Sequence, residues 1–132
     1  MADTVDTLNV FTGGNRIVRR FTNISDATGE SAVIKVDIST LTGPNGNAPS
    51  KLVVEEIQSD VQGFASVRLF WDATTDDEIA MLGTGKDYRN YKNVGGLVDP
   101  ASSGATGDIL LTTNGAVSGA TYDITLVLRL KV

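Results

Sequence analysis

The chain has 132 residues, 41% of them apolar, with 11 basic against 16 acidic side chains and a net charge of −5. This suits one domain with a buried core rather than a disordered chain, and the acidic balance argues against nucleic acid as a direct partner, since phosphate binding needs a clustered basic surface. Cysteine and histidine are both absent, which excludes disulfides, thiolate chemistry, the commonest general base and the commonest transition-metal ligand.

The first residues, Met1 to Val5, carry no basic and apolar leader, so a protein made in the cytoplasm and not secreted is expected. Aliphatic runs such as Ile79 to Leu82 are far too short to cross a bilayer, and no membrane partner is expected. Residues 4–12 and 15–23 are β-rich and meet at Gly13-Gly14, which predicts a hairpin. Residues 1–8 are also a candidate arm that adds a strand to a neighbouring subunit. Within the second run Arg16 and Arg20 share a face and Arg19 takes the other, the pattern of a solvated edge rather than a phosphate site.

Residues 31–38 predict a third strand, with Ala32, Ile34, Val36 and Ile38 set against Val33, Lys35 and Asp37. Residues 42–49, TGPNGNAP, predict a loop. Residues 51–60 fit a short helix or a strand; the branched residues among Leu52, Val53, Val54 and Ile57 favour a strand with a bulge. In residues 64–72, Ala65, Val67, Leu69 and Trp71 alternate with Ser66, Arg68, Phe70 and Asp72, and Glu55 and Glu56 are expected beside Arg68 on a paired strand. Residues 78–82 predict a short strand. From Gly83 to about Ala105 no period is sustained, which predicts a long irregular loop. Residues 107–113 resume a strand, and Tyr122, Ile124, Leu126, Leu128, Leu130 and Val132 give a final strand with one fully apolar face. About seven or eight strands at short spacing predict an all-β, single-domain antiparallel β-sandwich or jelly roll.

No residue stands out as catalytic, and neither a metal site nor a cofactor is expected. Gly83-Thr84-Gly85-Lys86 lacks the wider spacing and following helix of a phosphate loop and reads as a turn. The acidic run Asp72, Asp76, Asp77 and Glu78 lacks the glycine and spacing of a calcium loop, and Asp99 and Asp108 could join it only through the fold. Ser102-Ser103-Gly104 has no partner histidine, which excludes a hydrolase triad in its usual form and leaves only a Ser–Lys dyad, for which no motif speaks. Adjacent Glu55 and Glu56 point to opposite faces of a strand, so they cannot act as a glycosidase pair. The 83–105 segment is the leading binding candidate: Lys86, Asp87, Tyr88, Arg89, Tyr91 and Lys92 concentrate the tyrosine and arginine that dominate interface hot spots. Trp71, Tyr88 and Tyr91 would instead suit a carbohydrate-binding module, although Trp71 shares a face with core residues.

Three stretches carry a family resemblance. They are RLFWDATTDDEIAML, the glycine-rich passage containing GGLVDP, and TGDILLTTNGAVSGATYDITLVLRLKV. The half of the chain from about Val67 resembles small β-sandwich virion proteins of tailed bacteriophages. The resemblance implies a virion structural component without enzymatic activity, most simply a capsid decoration (cement) protein bound to the major capsid protein, or else a tail or head–tail connector subunit. It implies other virion proteins as partners, a homodimer or homotrimer, and no catalytic residues. The preceding half matches only in general character.

Overall fold

The structure, a computed structural model, describes residues 4–13, 15–43, 46–100 and 102–131. It is all-β, with ten strands: β1 (Thr4–Gly13), β2 (Arg16–Asp26), β3 (Val33–Val36), β4 (Lys51–Gln62), β5 (Ser66–Trp71), β6 (Asp77–Leu82), β7 (Gly85–Asn90), β8 (Leu97–Val98), β9 (Ile109–Asn114) and β10 (Ser118–Lys131). They form two antiparallel sheets. The larger runs β1-β2-β10-β4-β7, with β8 on the same margin of β4 as β7; the smaller runs β3-β9-β5-β6. The sheets face each other across one core.

The final strand is the spine of that core. β10 pairs with β2 on one side and β4 on the other, so its backbone is satisfied along both edges. Its inward residues Tyr122, Ile124, Leu126, Leu128 and Leu130 are at most 4% exposed. They meet Val67, Leu69 and Trp71 of β5, Ala80 and Leu82 of β6, and Ile109 and Leu111 of β9. Burying each large aliphatic side chain contributes about 1.5–3 kcal/mol. The alternation read in β5 therefore reports a real inward face, and Trp71, 3% exposed, belongs to it.

Eight of the ten strands answer to the expected ones. The other two lie in the segment expected to be irregular, which is instead β7, a 3-10 turn at Lys92–Val94, and β8. β7 reads as loop because GKDYRN has no apolar alternation. It is an edge strand held by backbone pairing to β4, and hydrophobic period reports burial rather than pairing. The turn brings the chain back against β4 through two left-handed glycines. At Gly96, φ is +85° and an added Cβ would lie 2.3 Å from Val53 Cγ1.

The N-terminal hairpin forms as expected, with Gly14 outside the described residues. Residues 4–8 are not a free arm but part of β1, paired from Thr4↔Ile24 to Leu8↔Arg20; residues 1–3 and Val132 lie outside the described residues. The bulge expected in 51–60 falls at Glu55, where β10 Val127 pairs with Glu56 and Leu128 with Val54. A second bulge corrects the reading of 31–38. Ile34 pairs with Leu110 and Val36 with Ile109, so Lys35 is the extra residue; Lys35 and Val36 turn inward while Ile34 stays 52% exposed. Arg68 pairs with Glu78 on β6, not with Glu55 or Glu56. No helix among the described residues is long and apolar enough to cross a membrane.

Candidate functional site

The outer face of the large sheet carries a shallow groove of about 560 Å³. Strand register builds it in two rows. Arg20 pairs with Thr125, Thr125 with Gln58, and Gln58 with Tyr88; the next row is Asp123, Asp60 and Lys86. These positions alternate with the core residues of β2, β10 and β4, so an inward apolar face obliges an outward polar one. Asp87 and Ser59 complete the lining.

The groove is chemically mixed. Arg20 holds Asp123 through a two-point contact, Nε to Oδ1 at 2.9 Å and Nη2 to Oδ2 at 2.6 Å. Lys86 stands opposite Asp60 and makes no ion pair among the described residues. Tyr88, 52% exposed, donates its hydroxyl proton to Glu56. That bond pushes the Tyr88 hydroxyl above its usual range, and together with Lys92 it holds the Glu56 carboxyl below its own.

An ion network centres on Glu55 of β4, next to the Glu56 that holds Tyr88. Glu55, turned out of register by its bulge, has a side chain only 4% exposed. It accepts from Arg16 Nε at 2.8 Å and lies 3.6 Å from Arg129 Nη1. The hydrogen bond from Arg16 is the main reason its carboxyl is held below the ordinary range, working against burial. Lys92 reaches Glu56 at 3.1 Å, and Tyr91 N donates to Glu55 O at 2.8 Å. The chain leaving β7 is thus fastened to β4 by both side chains and backbone.

The six residues singled out in the sequence divide. Lys86, Asp87 and Tyr88 reach the groove. Arg89 turns to the sandwich edge, where Nε bonds Asp87 at 2.9 Å and Nη2 bonds Met81 O on β6 at 3.0 Å. Tyr91 packs against the core and Lys92 serves Glu56. Arg20, Gln58, Asp60, Asp123 and Thr125 belong to the groove and were not singled out as a binding set. Their signal was present, since each is a polar member of an alternating strand, but only register across three strands brings them together.

Elsewhere the expected sites resolve into structure. Thr84 Oγ1 donates to Phe64 O at 2.9 Å and Gly85 opens β7, so GTGK makes the β6–β7 connection. In the acidic run, Asp76 accepts from Ala73 N, Glu78 holds Arg68 and Asp72 accepts from Thr106. Asp108 does approach Asp72 through a backbone bond from Asp72 N to Asp108 O, and it caps Ile38 N at 2.9 Å. Burial pushes its carboxyl above the ordinary aspartate range. Among the described residues no group of three or more acidic side chains is placed to hold a metal ion.

A scan against protein-family models finds no match, and neither curated proteins nor solved structures yield one.

Proposed function

We propose that the chain is a non-enzymatic structural protein of a tailed-phage virion, a capsid decoration protein that docks on the major capsid protein through the outer groove of its large sheet. The observation that carries the docking surface is the row Arg20–Thr125–Gln58–Tyr88 with Lys86 beside it, a polar groove flanked by an edge strand. An exposed tyrosine and an open strand edge are features protein partners use. The resemblance of TGDILLTT and TYDITLVLRLK to phage virion proteins supplies the setting. In that role many copies bridge shell subunits, and modest single contacts add through multivalency. A homodimer or homotrimer fits the same reading, with β1 and β7 as available edges.

The test is co-sedimentation of the purified chain with undecorated shells of a tailed-phage major capsid protein. Saturable binding lost in a Lys86→Ala/Tyr88→Ala variant with an unchanged melt supports docking through the groove. Absence of the chain from purified virions by mass spectrometry contradicts the assignment. Rings or tubes formed by the isolated chain would move it to the tail or connector. A carbohydrate-binding reading draws on the same groove, where the Tyr88 ring lies among amide, hydroxyl and carboxylate groups. It is the weaker one, since Trp71 is buried and Tyr91 packs on the core, leaving no three-ring platform. Binding on a glycan array separates it from the first.

A further inference from the structure

Inside the sandwich, away from the groove, a carboxylate bridges an amine and an amide. Glu30 Oε2 lies 2.6 Å from Lys35 Nζ, and Glu30 Oε1 accepts from Asn23 Nδ2 at 3.0 Å and from the Tyr122 hydroxyl. The surroundings are dry. Asn23 is 1% exposed and Tyr122 2%, and the Lys35 and Glu30 side chains are 3% and 6% exposed. The Phe64 and Tyr122 rings sit 6.0 Å apart, and Lys35 Nζ lies 5.9 Å from the Tyr122 centroid.

Three features of the backbone deliver these groups, and two of them depart from the ordinary course of the chain. Lys35 points inward only because it is the extra residue of the β3 bulge. Asn23 comes from β2 in the other sheet. Glu30 is carried in by a loop bounded by Ala27 at φ +82° and Ala32 at φ +50°, conformations that alanine adopts only at a cost. The loop is clamped by Glu30 N to Thr113 Oγ1 at 2.8 Å and Ala32 N to Thr112 Oγ1 at 3.0 Å. Strained backbone held this firmly around buried reactive groups marks a site with a task.

We propose that Lys35 and Asn23 form an intramolecular isopeptide bond, with Glu30 as the proton carrier. Passing the ammonium proton across the 2.6 Å contact to Glu30 leaves Lys35 Nζ a neutral nucleophile. Nζ attacks Asn23 Cγ, forming the new C–N bond. Glu30 protonates Nδ2, the Cγ–Nδ2 bond breaks, and ammonia leaves; the second Nζ proton returns to the carboxylate. No oxidant or further reactant is required. Two reactants fixed on the two oxygens of one carboxylate, with bulk water excluded, gain the proximity that makes an unactivated amide reactive. The product ties β2 of the large sheet to β3 of the small one. It gives a chain without cysteine a covalent cross-link that no reductant opens.

Intact mass of the denatured, purified protein reads this directly. The expected mass is lower than the sequence mass by one ammonia. Trypsin should then miss Lys35 and release residues 21–51 as a single fragment, light by the same amount, instead of separate 21–35 and 36–51 peptides. Lys35→Arg and Glu30→Gln should each return to their full sequence mass; Lys35→Arg keeps the cation, so its circular dichroism separates loss of the bond from loss of the fold. Wild-type protein at full mass, with cleavage after Lys35, overturns the proposal. So does an ammonia loss that maps to Asn45-Gly46 or Asn114-Gly115 while Lys35 is still cut.

Discussion

Replacing Glu55 with alanine tests how the bulge in β4 clasps Arg16 of β2 and Arg129 of β10. The carboxylate is 4% exposed and accepts from Arg16 at 2.8 and 3.4 Å, with Arg129 at 3.6 Å. A hydrogen bond to a charged group contributes about 1.5–3 kcal/mol net when buried. Both guanidinium partners reach solvent, with side chains 50% and 30% exposed, so they rehydrate when freed and the loss sits at the low end. Glu55→Ala should therefore cost about 2 kcal/mol, which for a domain of this size lowers Tm by about 8 °C. The pH dependence is an independent check. Because the folded carboxyl is held below its ordinary range, its stabilisation is complete above about pH 4.3 and drains as pH falls through the depressed folded value. Thermal melts followed by circular dichroism should show the gap between wild type and variant narrowing in acid. A variant melting within about 1 °C of wild type at neutral pH would refute the clasp on the same scale, and a gap that stays constant into strong acid would refute its ionic origin.

Other substitutions probe the remaining layers. Leu128→Asp should abolish folding, because it places an unpaired carboxylate at a fully buried position of the central strand; a cooperative melt near wild type would contradict that role. Leu128→Ala should cost about 3 kcal/mol by denaturant titration, as lost transfer energy plus a cavity. Gly96→Ala should lower Tm measurably, since its φ of +85° disfavours a side chain and the new Cβ would meet Val53 at 2.3 Å; an unchanged Tm would mean that β8 is not seated on β4 as described. Asp108→Asn should change the pH profile. A buried carboxyl whose folded value is raised loses stability as pH climbs through and above the ordinary aspartate value of about 3.9, so the variant should lack that decline.

The fold was legible where burial is one-sided. Val67, Leu69 and Trp71 in β5, and the alternating apolar residues of β10, announce their inward faces because each strand lies between the core and solvent. β7 was not legible, because Lys86 to Asn90 are placed by backbone pairing with Glu56 to Asp60, which leaves no mark on side-chain pattern. Bulges erase alternation as well. Lys35 and Glu55 sit in apolar strands as charged residues turned out of register, and only the partner strand reveals which residue is extra. A third of the groove lining was visible as the stretch Lys86, Asp87 and Tyr88 of β7. Arg20, Gln58, Asp60 and Asp123 stand far apart in sequence, and their meeting depends on β10 running between β2 and β4.

The most direct measurement of function is cryo-electron microscopy of shells of the major capsid protein incubated with the purified chain. Symmetric, saturable density is expected, with the outer face of the large sheet against the shell and Lys86 and Tyr88 at the contact. Shells that stay bare, or bound copies with that groove turned to solvent, would contradict the proposed docking surface.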